Sequence, residues 1–169
     1  KSYDELDGAL ENRESQIKQL LLSKLRLPWT NLKILSILSK DSLQMTDADR
    51  ALLAQTIMAK QNLGHPIVVL HGTDTMTISA QYCLKRLPLP KVAVVFTGAM
   101  KPLGFDDSDA KQNVTEALLA SKILPPGFYL SFHNQVFEIP WVEKNYEMRT
   151  FQALEKNTKR KKSSERVDE

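Results

Sequence analysis

Pro66-Ile67-Val68-Val69-Leu70-His71-Gly72-Thr73-Asp74-Thr75-Met76 is the stretch on which the fold turns. Its first half is apolar and rich in β-branched residues, which fits a strand buried on both faces. Gly72 permits a tight backbone turn. Residues 75–86 then read as a helix, stopped by Pro88 and Pro90. One strand, one sharp turn and one helix thus occupy about twenty residues, the first half of a strand–helix–strand unit.

The same alternation continues in both directions. Residues 92–96 are a second buried strand. Ser108-Asp109 can cap a helix through Val114, Ala117 and Leu118, which ends at Pro125-Pro126-Gly127, and residues 128–132 are a further strand. On the N-terminal side, Leu-Lys-Ile-Leu-Ser-Ile-Leu over residues 32–38 reads as a strand. Thr46-Asp47-Ala48-Asp49 has the form of a helix N-cap with an acidic residue three positions on, followed by Leu52, Leu53 and Ile57 at helical spacing. Residues 14–25 carry Ile17, Leu20, Leu21 and Leu25 at helical spacing. Strands alternating with helices predict an α/β fold of three layers, a mainly parallel sheet with flanking helices, Rossmann- or flavodoxin-like. Right-handed crossovers put the C-terminal ends of all strands on one edge, where such sheets bind ligands. The loops leaving Leu38, Leu70, Phe96 and Phe132 are therefore the ones to search.

Composition narrows the choices. At 169 residues the chain suits one domain, expected over residues 1–151, with a basic, flexible tail over 152–169. Residues 156–169 hold six Lys/Arg and three Asp/Glu; removed from the chain's 23 and 20, these leave 17 of each sign. A nucleic-acid partner would rest on that tail alone, and a solvated tail is the simpler reading. One cysteine, Cys83, excludes an internal disulfide and suits a reducing cytoplasm; it falls in a helical pattern, as a core residue would. No apolar run approaches the roughly 20 residues of a membrane span. The chain starts at Lys1 without a leader pattern, so it is expected to begin inside a gene product or after processing. No phosphate loop or dinucleotide fingerprint occurs, and His65, His71 and His133 lack metal-ligand spacing, so neither cofactor nor metal is expected.

The loop after Leu70 places Thr73 and Asp74 at a helix start. Free N–H groups and the positive dipole end there can hold a carboxylate, but Asp and Thr are common helix caps, and on spacing alone the plain cap is the simpler reading. Thr97-Gly98-Ala99-Met100-Lys101-Pro102 follows the second strand, and Ser39-Lys40-Asp41-Ser42-Leu43-Gln44-Met45 follows Leu38. Three hydroxyl-bearing or glycine-containing loops at one sheet edge suggest a polar pocket.

His71-Gly72-Thr73-Asp74-Thr75-Met76 resembles the second signature of the bacterial-type L-asparaginases. Thr97 to Pro102, with Ser108-Asp109 and Asn113, is similar to that family's next block. Residues 40–47 resemble its substrate-serine loop, and residues 136–144 its lysine-bearing segment. The resemblance covers most of residues 1–151 and is nearest to compact single-domain asparaginase-like proteins. It implies an amidohydrolase that converts the side-chain amide of L-asparagine, or a related small amide, to the acid and ammonia by a threonine-nucleophile mechanism. The alternative is a non-catalytic amino-acid-binding or regulatory domain. By the same resemblance Thr73, Asp74 and Lys144 are the catalytic residues: Thr73 is the second catalytic threonine, Asp74 also holds the substrate amino group, and Lys144 is the catalytic lysine. Ser42 holds the substrate carboxylate, and Ala99 is a backbone position beside the amide. A homo-oligomer, with no membrane or nucleic-acid partner, is implied as well. The chemistry is coherent, because a buried lysine can serve as base for a weak hydroxyl nucleophile and an aspartate can orient it. The family's first signature, Thr-Gly-Gly-Thr-Ile on the first strand, is expected upstream of Lys1. Ala110, where the family has glycine, and Gln44, where an acidic residue is common, bear on substrate preference.

Overall fold

The computed structural model describes residues 22–155, together with a short backbone pairing of Ser2–Tyr3 with Leu10–Glu11. The helix expected over 14–25 lies largely outside the described residues, with a 3-10 turn at Leu22–Lys24. The basic residues 156–169 lie outside them too.

Helix α1 spans Asp47–Lys60 and starts as its sequence dictates. Thr46 Oγ1 accepts from the Asp49 N–H, and the Asp49 carboxylate accepts from the Thr46 N–H at 2.8 Å, a reciprocal capping box. Lys40 also donates to Asp49, at 2.7 Å. The Lys40 ammonium and then the Thr46 N–H hold the Asp49 carboxyl down at about 2. This ion pair anchors the loop before α1, which carries Ser42.

Strand β1 (Ile67–Leu70) leads through the 71–75 turn into helix α2 (Met76–Arg86). Strand β2 (Ala93–Thr97) leads into helix α3 (Ala110–Ile123), and strand β3 (Gly127–Phe132) follows. The three strands are parallel, in register from Ile67↔Val94 to Leu70↔Thr97 and from Ala93↔Gly127 to Phe96↔Leu130. Strand β4 (Gln135–Glu138) returns antiparallel to β3 through His133 and Asn134, both left-handed at φ 46° and 61°, as a tight hairpin turn requires. The sheet order is β1-β2-β3-β4. A separate hairpin pairs strand β5 (Val142–Asn145) with strand β6 (Thr150–Ala153).

The strand period of two sorts side chains onto two faces. Val94, Phe96, Phe128, Leu130 and Phe132 pack with Leu53, Ala54 and Ile57 of α1 and Met76, Ala80 and Cys83 of α2. On the other face, Val68 and Leu70 meet Ala110, Val114 and Leu118 of α3. The result is an α/β fold with helices on both faces of a mostly parallel sheet. Each large side chain fully buried in these layers contributes about 1.5–3 kcal/mol.

One expectation is corrected. Residues 32–38 form no strand; they run as irregular chain. Leu32 packs toward the α3 cluster, Ile37 toward the α1–α2 cluster, and Leu35 stays exposed. These apolar residues are absorbed by packing without a ladder of backbone hydrogen bonds. Among the described residues, β1 is therefore one edge strand of the sheet, with β4 at the other.

Candidate functional site

The turn after β1 is held at its base by His71. Its N–H donates to the Thr97 carbonyl at 2.8 Å, continuing the β1–β2 ladder. Its ring spans from the Gly72 carbonyl (2.7 Å from Nδ1) to the Ser79 hydroxyl (2.8 Å from Nε2) on α2. A carbonyl only accepts, so Nδ1 donates to Gly72, and Nε2 pairs with the Ser79 hydroxyl. The next loop is pressed against this turn. A Cβ at Gly98 would stand 2.1 Å from the His71 carbonyl oxygen, so only glycine permits the approach.

Lys144 reaches the turn from β5. Val142 is buried, and the period of two puts Lys144 on the same inner face, opposite Phe151 in the β5–β6 register. Its Nζ donates to Thr73 Oγ1 at 2.9 Å and to Asp74 Oδ1 at 2.6 Å. The lysine side chain is 12% exposed and that of Asp74 is 38% exposed, so the cluster is buried on the lysine side and open on the carboxylate side. The Tyr146 ring centroid lies 5.0 Å from Nζ, in cation–π range. Thr73 is itself buried.

Ser42 joins the same edge indirectly. Thr75 stands at the N-cap of α2 but makes no capping bond there; its hydroxyl donates to the Ser42 carbonyl at 2.8 Å. The Ser42 side chain is buried. Ala99 lies on the neighbouring loop and packs toward the α3 cluster. The structure thus brings Thr73, Asp74 and Lys144 into direct contact, links the Ser42 loop to them through Thr75, and sets Ala99 one loop away.

A second polar cluster occupies the same edge. Asp109 accepts from the N–H groups of Met100 and Lys101, each at 3.0 Å, and from Asn113 Nδ2 and His133 Nε2, each at 2.9 Å. Burial alone would raise the Asp109 carboxyl. The N–H groups of Lys101 and Met100, then His133 and Asn113, outweigh it and hold the group below the usual carboxylate range. Asn113 Nδ2 also donates to the Gly98 carbonyl at 2.9 Å. Sequence reasoning singled out neither Thr75 nor His133. The available signals were a hydroxyl spare at a helix start and a histidine in a predicted strand-end turn. Among the described residues no cluster of three or more His, Cys, Asp or Glu could hold a metal ion.

Fold and site together define an α/β protein with a lysine-centred polar cluster at the strand ends of a parallel sheet. The chain belongs to the asparaginase N-terminal family, whose model matches residues 5–165. It is 40% identical over 98 residues to a human 60 kDa lysophospholipase, covering 57% of this chain and 17% of that protein. It is 34% identical over 101 residues to L-asparaginase 1 of Escherichia coli, covering 57% of this chain and 29% of the other. The solved structure of the thermostable L-asparaginase from Thermococcus kodakarensis superposes with a TM-score of 0.74 at 26% identity, over 83% of this chain and 43% of that one. The chain thus spans less than half the length of these relatives.

Proposed function

We propose that this chain forms the Thr73–Lys144–Asp74 part of an amidohydrolase that releases ammonia from the side-chain amide of L-asparagine or a related small amide. The observation that carries the reading is the Lys144 ammonium nitrogen, hydrogen-bonded at once to the Thr73 hydroxyl and the Asp74 carboxylate. Membership of the asparaginase family supports the same chemistry.

Amide hydrolysis by this route needs a hydroxyl to add to the carbonyl carbon and a proton to reach the departing nitrogen. Thr73 Oγ1 and Lys144 Nζ are within proton-transfer distance, so Lys144 acting as the neutral amine can take the proton of an attacking threonine hydroxyl through Thr73 and return it to the departing nitrogen, which leaves as ammonia. Asp74 orients the lysine. The half-open face of its carboxylate is suited to the substrate's α-ammonium group. Ser42 and the backbone at Ala99 are the further substrate contacts in this reading. The site takes no metal or cofactor, and a cytoplasmic homo-oligomer is the form we propose for the whole protein. No helix among the described residues is long and apolar enough to cross a membrane.

Ammonia release from L-asparagine and L-glutamine by the natural protein tests the reading, with Lys144→Met as control. Turnover left undiminished by this substitution refutes it. Tight binding of L-aspartate without turnover would instead favour a non-catalytic amino-acid-binding domain.

A further inference from the structure

The Asp109 cluster does more than close a loop. The two N–H groups it accepts from, Met100 and Lys101, follow Ala99 directly. Its fourth partner, His133, leads elsewhere. His133 Nδ1 lies 2.9 Å from Thr150 Oγ1 on β6. Thr150 pairs with Asn145 in the β5–β6 register, and the next pair is Lys144 with Phe151. A continuous chain of hydrogen bonds therefore runs from the Ala99 loop through Asp109, His133 and Thr150 to the hairpin that carries Lys144.

His133 makes further contacts besides these. Its N–H donates to Asn113 Oδ1 at 3.1 Å, and its ring lies 4.5 Å from that of Phe132. Phe132 in turn meets Phe151 edge-on at 5.0 Å. An ionised Asp109 only accepts, so Nε2 donates to it, and Nδ1 meets the Thr150 hydroxyl. Each nitrogen thus serves one wall of the cluster.

We propose that His133 is a positioning residue, which sets the Lys144 hairpin against the Ala99 loop by bridging Asp109 and Thr150. The proposal rests on the amidohydrolase reading for its effect on turnover, but the bridge itself is measurable without turnover. A misplacement of about 1 Å at a reacting group can cost on the order of a hundredfold in rate, so a loosened hairpin should lower kcat.

The test uses the natural protein with His133→Asn and Thr150→Val. Asparagine tolerates the left-handed turn and can still reach Thr150 but not Asp109, so His133→Asn keeps the fold. Thr150→Val breaks only the other end. Each variant should lower kcat roughly tenfold with KM within about threefold, and the double variant should lose no more than the worse single one. In NMR, the Lys144 side-chain signals should move in both variants. Amide exchange at Met100 and Lys101 should quicken in His133→Asn. Unmoved Lys144 signals, unchanged exchange, or a lowered melting temperature with kcat and KM intact would each overturn the proposal. If the unsubstituted protein shows no amide turnover, the amidohydrolase reading falls, and the Lys144 signals and the exchange rates still decide whether His133 bridges the two elements.

Discussion

Asp74 and Asp109 stand at the C-terminal edge of the same sheet, each on a loop that leaves a parallel strand. Asp74 gives its carboxylate to the side chain of Lys144 and remains 38% exposed. Asp109, 15% exposed, divides its two oxygens among two backbone N–H groups, an amide and an imidazole. A carboxylate saturated by protein donors is a structural hub; it has no capacity left for a ligand. A carboxylate with one ionic partner and an open face can orient a base and still meet a substrate. Residue type and a place at a strand end do not distinguish the two; the partners do.

The sharpest way to break this contrast is to exchange the consequences. Lys144→Met should reduce ammonia release about 10²–10⁴-fold, the usual worth of a general acid–base group, and leave the melting temperature nearly unchanged. Asp109→Ala should act the other way, with its main effect in thermal or denaturant unfolding. It leaves the Met100 and Lys101 N–H groups without their acceptor, at about 1–3 kcal/mol for each buried group. Equal stability losses in the two variants would erase the distinction.

Gly98→Ala comes next in size. Its methyl group would collide with the His71 carbonyl, and overpacking of this kind costs typically about 1–3 kcal/mol. Because the collision pushes apart the loops that bear Thr73 and Ala99, it should lower kcat as well. A variant as stable and as active as the parent would show that the loops do not need this approach.

Acid titration sharpens the comparison further. The Asp109 pKa is lower folded than unfolded, so its stabilisation is complete above the ordinary carboxylate value, near about pH 4, and is lost as pH falls through the folded value. Asp109→Asn should flatten the acid side of the stability–pH curve, measured by urea unfolding between about pH 5 and pH 2. Asp49, held at about 2, contributes a slope of the same sign from the first turn of α1. An unaltered acid limb in Asp109→Asn would contradict the hub role.

The smallest effect concerns Cys83. Burial pushes its thiol up to about 12, so at pH 8 the native protein should react with a thiol reagent only as fast as it opens. Labelling as quick as in denaturant would place the α2 face outside the core.

Much of this edge was legible from residues alone. The run Ile67–Leu70, the capping box at Thr46 and Asp49, and the proline stops after α2 and α3 are local devices, and local sequence states them. The composition of the Thr73–Asp74 turn, read alone, favoured a plain helix cap over a binding site. Family resemblance raised the binding reading, and the Lys144 contacts, formed across 70 and 71 residues of chain, could not be read from spacing. The inward turn of Lys144 depends on β5 sharing a face with Val142, which only the hairpin's place against the core settles.

Residues 32–38 mark the opposite limit. They are rich in Leu and Ile, yet they form no strand, because a ladder needs a partner backbone at the right distance and hydrophobicity supplies none. By itself, the sequence determined which segments are apolar on which period, where helices start and stop, and which family the chain resembles. The tertiary structure alone decided which apolar run became a strand, which carboxylate stayed open and which histidine bridges two loops. Those outcomes rest on partners distant in the chain, whose hydrogen bonds form only once the layers have packed.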